Sequence, residues 1–372
     1  MPIIDLLIAI FIVFGIIIIL LIISAIIYFL RKSYIERVKV QLLQRRIPSQ
    51  KNRRLKYAFI INPSKKKANS TVEYIKQFFI IHKFPQPQFY YTEKDFPGGK
   101  QAQLAIDNKA DVIVAVGGDG TARAVAQIVS QNDRCFGLIP IGTANIFARN
   151  LDLEPTKLYK CLLTVIAGHS KMYDIGFVKV QNTQNYTWSG DSKQAFLAVA
   201  GLGFDAAMIA TTSEKLKRRI GWLAYFTGSL KQMRNPRITA KVDILDTDKI
   251  THNIYDIQIR SLLFGNVSKI PGLTLIPPAR PNDGKLDFVA LDTKANILGW
   301  GQLFNNIVMQ SMGLEKRNTL KISNINHRQG LSAKVKTNRP VYLQLDGDIM
   351  GQISQLQIGL KPSALTVLVP NT

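Results

Sequence analysis

Three short apolar segments in this sequence each end at a turn that carries glycine, asparagine or a hydroxyl side chain. The clearest is residues 112–116 (VIVAV), followed directly by Gly117-Gly118-Asp119-Gly120-Thr121 and then by a helical pattern. β-Branched residues in so short a segment predict a buried strand. Strand and helix patterns alternate across residues 57–140, which predicts a parallel sheet with helices on its faces.

The three turns are predicted to meet at one edge of that sheet. Residues 57–62 lead into Asn62-Pro63-Ser64-Lys65, and residues 136–140 lead into a turn at 141–145. Ligands of open α/β sheets bind beyond the carboxyl ends of the strands, where glycines and a helix N-terminus bring backbone N–H groups to an anion. A single GGDG turn also fits a plain strand–helix connection, but three turns together favour a phosphate site. The sequence contains neither a Walker A motif nor a GxGxxG dinucleotide loop.

The second half of the sequence has a different pattern, in which strands dominate. Turns such as Pro281-Asn282-Asp283-Gly284 and Asp346-Gly347-Asp348 separate them. We therefore predict an α/β plus all-β fold. A Rossmann-like α/β domain is expected at residues 57–168 and an antiparallel β-sandwich domain at residues 169–372, with the C-terminal strand returning to the first domain.

An almost unbroken apolar run from Ile3 to Leu30 precedes the globular body. It exceeds the roughly 20 residues that a helix needs to cross a bilayer, and it lacks the basic leading segment of a signal peptide. We predict a transmembrane helix at residues 1–30, with a buried core helix as the alternative. Residues 31–56 are strongly basic. The positive-inside rule therefore predicts a single-pass membrane protein with a cytoplasmic body, and this linker is expected to meet an anionic phospholipid surface.

The charge balance indicates an anionic partner. There are 48 Lys and Arg residues against 25 Asp and Glu, a formal net charge of +23. Nucleic acid is not expected, because many of the basic residues adjoin the apolar run and no nucleic-acid-binding module is visible. Cys135 and Cys161 are too few for a disulfide framework, which favours a reducing compartment.

The turns, together with later motifs, resemble the diacylglycerol kinase catalytic-domain family. That family includes bacterial lipid kinases and is related to sphingosine, ceramide and NAD kinases. The motifs that carry the resemblance are Asn62-Pro63, GGDGT at 117–121, GTANIFARNL at 142–151, AGLGFDA at 200–206, GWLAYFTG at 221–228, IPPARPNDGKLDF at 276–288 and LDGD at 345–348. The resemblance covers residues 57–370, and the later motifs favour lipid kinases over NAD kinases.

The resemblance implies a nucleotide site for ATP at these turns. Residues 117–121 would bind the ATP phosphates, and Thr92 and Thr143 would contact the nucleotide. The implied nucleotide-binding residues follow the ends of the first four strands and are Asn62, Thr92, Gly117, Gly118, Asp119, Gly120, Thr121, Gly142, Thr143 and Asn145.

The resemblance also implies the catalytic carboxylates. Asp348 would be the general base on the acceptor hydroxyl, Asp119 would help to position the magnesium–ATP complex, and Asp346 completes the set. Independently of the family, an Asp-Gly turn also fits a plain hairpin connection.

A structural Mg²⁺ is implied in the second Asp-Gly turn. The Asp283 carboxylate and the backbone oxygens of Arg280 and Lys285 would hold it. A plain turn is the alternative for this segment as well.

Three positions depart from the family pattern. Asp348 stands where Glu is common, and its shorter side chain has less reach. Arg123 stands where Asn is common, and we interpret it either as a phosphate contact or as a solvated helix residue. Ile146 stands where Asp is common, and its side chain cannot replace a carboxylate.

We therefore expect an ATP- and Mg-dependent lipid kinase that phosphorylates the hydroxyl of diacylglycerol or a similar membrane lipid at the cytoplasmic membrane face, giving a phosphatidic-acid-type product. Residues 57–168 would bind ATP and residues 169–372 the lipid. Two alternatives stay open: a kinase of another lipid alcohol, such as a sphingoid base or ceramide, and a non-catalytic membrane-bound sensor of nucleotide or lipid. A homodimer is the oligomeric state that we consider.

Overall fold

The structure is a computed structural model, and it describes residues 18–30, 54–94, 96–180, 193–203, 237–270, 273–274, 276, 279–293 and 323–371. Several predictions fall outside these residues. They are the first part of the predicted transmembrane helix (1–17), most of the basic linker (31–53) and the motif residues 204–206 and 221–228.

Helix α1 comprises residues 18–30, the second part of the apolar run, and its side chains are exposed. It belongs to a unit formed by Met1–Ser49, whereas Gln50–Thr372 form a second compact unit. Among the described residues, no helix combines the length and the apolar character that a membrane crossing requires.

The first half of the second unit alternates strands and helices, as the sequence predicts. Its elements are β1 (Tyr57–Ile61), α2 (Ala68–Ile81), β2 (Gln88–Tyr91), α3 (Gly99–Asp107), β3 (Val112–Gly117), α4 (Asp119–Val129), β4 (Cys135–Pro140), α5 (Ile146–Asn150) and α6 (Leu158–Ala167). The strands lie in the order β4-β3-β1-β2, and all three pairings are parallel. Every residue of β1 and β3 is buried, as expected for central strands of a sheet covered on both faces.

Strands dominate the second half. They are β5 (His169–Val180), β6 (Gln194–Phe196), β7 (Val199–Gly203), β8 (Ile238–Leu245), β9 (Thr251–Ile259), β10 (Ser261–Gly265), β11 (Lys269–Ile270), β12 (Leu273–Thr274), β13 (Leu286–Thr293), β14 (Ser323–Gly330), β15 (Ser332–Leu345) and β16 (Asp348–Val369). In the part of the chain that the structure describes, all of them except β11 and β12 join β1–β4 in one sheet of 14 strands.

The strands predicted as a sandwich form two branches of this one sheet. Residues 332–337 of β15 pair with β8, and residues 343–345 pair with β7. An irregularity between Lys336 and Val341 separates the two parts of β15. Side chains from both branches, such as Val242 and Phe264, belong to a single buried cluster. The long strand β15 therefore bends the antiparallel region around a common core.

Strand β16 joins the two halves of the molecule. It pairs with β15 and β5 in antiparallel directions, and its residues Thr366 and Val367 pair in parallel with Cys135 and Phe136 of β4. Its first residue, Asp348, follows the tight turn that connects it to β15. This strand therefore fixes the position of the β15–β16 turn relative to the parallel strands.

Candidate active site

The turns after β1 and β3 meet through a side-chain hydrogen bond. Asn62 Nδ2 donates to Thr121 Oγ1 at 3.1 Å, and Asn62 N donates to Val116 O at 2.9 Å. Asn62 Oδ1 accepts hydrogen bonds from the backbone N–H and the hydroxyl of Ser64, at 3.1 and 2.6 Å. The oxygen of the Asn62 amide therefore stabilises the turn after β1, and its nitrogen joins that turn to the start of α4.

Thr92 lies at the same edge, directly after β2. Its backbone N–H donates to Ile61 O at 2.8 Å, and the residue is buried. The predicted nucleotide contact is thus adjacent to the end of β1, next to the Asn62 turn.

The turns after β3 and β4 are in direct contact. A Cβ atom on Gly142 would lie 2.5 Å from the Cα atom of Gly118, so only glycine fits at position 142 without a shift of the backbone. Ile141 N and Gly142 N both donate to Gly117 O, at 2.9 and 3.1 Å. The two turns that the sequence predicts separately therefore form one glycine-lined surface.

Asn145 shapes the second of these turns. Its backbone adopts a left-handed conformation with φ 50°. Its Oδ1 atom accepts from Gly142 N at 3.1 Å, and its Nδ2 atom donates to Gly142 O at 2.8 Å. Asn145 is buried, whereas Thr143 is exposed. Thr143 is therefore the residue of this pair that is accessible to a ligand.

The carboxylate of Asp119 connects the two turns. Its Oδ2 atom accepts from Asn145 N at 2.8 Å, and its Oδ1 atom accepts from Ile146 N at 2.6 Å. Burial, followed by the nearby Asp346 carboxylate, raises the pKa of Asp119 to about 7, although the two N–H donors act in the opposite direction. Both oxygens are used, so Asp119 positions the neighbouring turn, and Ile146 contributes through its backbone amide.

Asp346 is the buried carboxylate of the β15–β16 turn. Its Oδ2 atom accepts from Leu197 N at 2.8 Å, and its Oδ1 atom accepts from Ala198 N and Val199 N at 2.8 and 3.1 Å. Burial raises the pKa of Asp346, while Arg123 and these three N–H donors lower it. Only 5% of the residue is exposed. This geometry assigns Asp346 to holding the turn in place.

Asp348 is the exposed carboxylate of the same turn, with 53% of its side chain accessible. A Cβ atom on Gly120 would lie 2.5 Å from Asp348 Oδ2, so this carboxylate lies directly against the first turn of α4. Arg123 Nη2 donates to the same oxygen at 2.8 Å. The structure thus brings the predicted base and the predicted phosphate-binding turn together.

The predicted magnesium turn precedes β13. Asp283 Oδ1 accepts from Lys285 N at 3.0 Å. Among the described residues, no cluster of three or more His, Cys, Asp and Glu side chains could hold a metal ion. The predicted ligand set contains a single carboxylate together with backbone oxygens of Arg280 and Lys285, and it stays a prediction.

Two side-chain contacts at these sites were not predicted from the sequence. Asp174 is 1% exposed, and its carboxylate accepts from Gly284 N and Ser363 N, both at 2.7 Å, so it fixes the Asp283 turn. Arg123, for which the sequence suggests a phosphate contact or a solvated position, is buried and contacts Asp348, so the solvated alternative is wrong. Neither position carries a local signal, because its partner lies 110 residues or more away along the chain.

Several known proteins that resemble this chain are named diacylglycerol kinases. Residues 56–178 match the family model of the diacylglycerol kinase catalytic domain. The chain is 27% identical over 287 residues to a diacylglycerol kinase from Staphylococcus saprophyticus, a match that covers 76% of this chain and 84% of the relative. It is 28% identical over 255 residues to a diacylglycerol kinase from Bacillus subtilis, covering 68% and 76%.

A solved structure has the same fold. The structure of a diacylglycerol kinase from Bacillus anthracis superposes with a TM-score of 0.62 at 20% identity, over 85% of this chain and 97% of that one. By sequence, the chain is similar to the diacylglycerol kinase catalytic-domain family. This similarity supports the lipid kinase that the motifs at its strand ends predict.

The contact between Gly120 and Asp348 gives a direct test of the site. In Gly120→Ala the new methyl group would displace the Asp348 carboxylate, and we expect kcat to fall about 100-fold, the order of loss that a displacement of about 1 Å can cause. The midpoint of thermal unfolding should change little, because Asp348 is exposed and alanine favours helix.

Gly99→Ala in helix α3 is the matched control, since its Cβ atom would lie at an ordinary contact distance of 3.6 Å from Ile128 Cγ1. Equal kcat values for the two variants would show that activity does not depend on this position of the Asp348 carboxylate.

Proposed function

We propose that the chain transfers the γ-phosphoryl group of ATP to the hydroxyl of diacylglycerol or a similar membrane lipid, giving a phosphatidic-acid-type product at the cytoplasmic membrane face. One observation carries the proposal. The glycine-lined turns at 117–121 and 142–145 are in contact, and the exposed carboxylate of Asp348 lies against the first of them.

The glycine-lined surface is suited to a triphosphate. Residues 119–121 form the first turn of α4, where helix N–H groups lack acceptors within the helix. The absence of side chains at Gly118 and Gly142 lets a phosphate approach the backbone closely, and the positive end of the α4 dipole favours its charge. Lys65 lies beside Gly118, with its Cε atom 3.8 Å from where a Cβ would be, and adds a cation to this surface.

Asp348 is suited to be the general base. In the proposed step the lipid oxygen forms a bond to the γ-phosphorus while the bond from that phosphorus to the β–γ bridging oxygen breaks. ADP leaves, and the hydroxyl proton moves to the Asp348 carboxylate. Asp119 and Asp346 are not proposed as proton acceptors, because backbone N–H groups occupy both oxygens of each.

Removing the base should greatly slow phosphoryl transfer and leave nucleotide binding nearly unchanged. We expect Asp348→Ala to lower the transfer of label from γ-³²P-ATP to diacylglycerol by roughly 100-fold to 10,000-fold, the range for general base catalysis. The KM for ATP should change less than about 3-fold, because the phosphate-binding turns are intact. The measurement is thin-layer separation of labelled lipids, with and without EDTA.

The same assay separates the alternatives. Asp133→Ala, at an exposed carboxylate in the loop after α4, serves as the control. Label in a sphingoid base or ceramide would assign another lipid alcohol, and label in NADP would move the chain to NAD kinases. If the wild-type chain binds ATP and labels no lipid, the kinase proposal fails and a sensor remains.

Two binding sites for Mg²⁺ are proposed. Bound to ATP, it would neutralise charge on the phosphates. In the turn before β13, the Asp283 carboxylate and the backbone oxygens of Arg280 and Lys285 are oxygen donors of the kind that Mg²⁺ prefers. Asp174 holds this turn through Gly284 N and would pre-form the site.

The Mg²⁺ site in the turn before β13 can be tested by a binding measurement that does not require enzyme activity. A ligand that binds the folded state raises the unfolding midpoint by mass action. We therefore expect Mg²⁺ to raise the thermal midpoint of the nucleotide-free protein, and we expect Asp283→Asn to remove that rise while Asp133→Asn retains it. An unchanged rise in Asp283→Asn would contradict this site.

The apolar run is proposed to anchor the enzyme in the bilayer that contains its substrate. Supporting this, the described part of the run is helical, and large apolar side chains such as Leu21 (65% exposed) and Phe29 (73% exposed) cover its surface. Such exposure is unfavourable in water, at about 25 cal/mol per Å² of apolar surface. The basic residues that follow would contact anionic phospholipid headgroups and keep the catalytic unit on the cytoplasmic side.

Charges placed within α1 should release the protein from membranes. Each Lys at the centre of a spanning helix costs about 2.5 to 3.5 kcal/mol. We expect the full chain with Ile19→Lys and Ile23→Lys to move from the carbonate-resistant membrane fraction to the supernatant. The variant with Ile19→Leu and Ile23→Leu should stay in the membrane fraction. Retention of the lysine variant would contradict the anchor.

A further inference from the structure

We propose that Arg123 is the positioning residue of the general base, so that catalysis depends on the pair Arg123–Asp348 and not on the carboxylate alone. This inference rests on the proposed function. It adds a residue for which the sequence suggested only a phosphate contact or a solvated surface position.

The geometry of Arg123 joins helix α4 to both strands of the β15–β16 hairpin. Its Nη2 atom donates to Asp348 Oδ2 at 2.8 Å, and its Nη1 atom donates to Leu345 O at 3.2 Å. Met350 Sδ lies 3.5 Å from the same Nη1 atom. The guanidinium group therefore contacts the residues on each side of the Asp346-Gly347 turn and fixes one oxygen of the base.

Burial makes this contact strong. The Arg123 side chain is 11% exposed, whereas that of Asp348 is 53% exposed. A buried guanidinium group requires partners, because an unpaired buried charge is costly. Arg123 thus holds one oxygen of Asp348, while the exposed part of the carboxylate is accessible to a lipid hydroxyl.

Arg123 is also the counter-charge to a group of carboxylates. Asp119, Asp346 and Asp348 face this region from α4 and from the hairpin turn. Burial raises the pKa of both Asp119 and Asp346, and the Asp346 carboxylate also raises the pKa of Asp119. Arg123 lowers the pKa of Asp346. Lys65 lies against Gly118. Removing the guanidinium group would leave these negative charges without the cation that the hairpin turn packs against.

A guanidinium group suits this role better than an ammonium group. Its donors are arranged in a rigid planar fork, which can serve a carboxylate and a carbonyl at the same time. A lysine would supply charge without fixing both acceptors. The contact also connects two departures from the family pattern, since the shorter acid at 348 and the long cation at 123 hold each other.

A double-mutant cycle on the full-length chain tests the pair. Wild type, Arg123→Gln, Asp348→Asn and the double variant are assayed for label transfer to diacylglycerol in mixed micelles, with kcat and the KM for ATP measured separately. We expect Arg123→Gln to lower kcat about 100-fold with the KM for ATP changed less than about 3-fold. In the Asp348→Asn background the same change should cost nothing further, because its effect is exerted through the carboxylate.

Several outcomes would overturn the inference. Equal losses from Arg123→Gln in both backgrounds would show that Arg123 acts independently of Asp348. A raised KM for ATP with unchanged kcat would assign Arg123 to phosphate binding. If wild type transfers label and the cycle is additive, the proposed function stands and only the positioning role fails. If wild type labels no lipid, both fail.

Two further variants control for folding. Thermal unfolding is measured for every protein, and if Arg123→Gln does not fold, the cycle is run with Arg123→Lys, which keeps the charge but loses the fork. We expect Arg123→Lys to lower kcat about 10-fold, between wild type and Arg123→Gln. Arg134→Gln is the matched control beyond the other end of α4, where the side chain donates to Asp133 O; its kcat should equal that of wild type.

Discussion

The pairing of β16 with β4 is the contact on which the rest of the structure depends. It is short, with Thr366 and Val367 opposite Cys135 and Phe136, yet it joins a parallel α/β half and an antiparallel half into one sheet. Because β16 is a single strand of 22 residues, its other end cannot move independently. The turn that carries Asp348 is thereby set against the start of α4, and the candidate active site lies between elements that are remote in the sequence.

Three carboxylates, two of them buried and that of Asp119 half-buried, then fix the turns that surround this site. Asp119, Asp174 and Asp346 each accept two or three hydrogen bonds from backbone N–H groups of another segment. Such bonds are strong in a low-dielectric interior, and leaving the donors unpaired there would be costly. Among the acids that the sequence marks as chemical candidates, Asp119 and Asp346 hold turns. Asp348 is the exposed one and is the proposed proton acceptor.

Much of the site follows from local sequence. Parallel strands place their carboxyl ends at one edge, so the motifs that follow Ile61, Gly117 and Pro140 could be expected to meet, and Asn62, Thr121, Gly118 and Gly142 do so. The role of Arg123 could not be expected, because its partner is 225 residues away and α4 gives no sign of which face the hairpin covers. Asp346 and Asp348 share a turn, and the resemblance to the family implies that Asp348 is the base. Only packing shows that Asp346 is buried and Asp348 exposed.

The sequence by itself determined the class of fold, the resemblance to a kinase family and the turns proposed to bind phosphate, because these depend on periodicity, glycine and short motifs that act within a few residues. Tertiary structure alone decided how the antiparallel strands branch around β15, which carboxylate is exposed, and which cation pairs with it. Those outcomes depend on β-strand register and on burial between distant segments. Both are properties of the assembled sheet, and no local stretch of the chain encodes them.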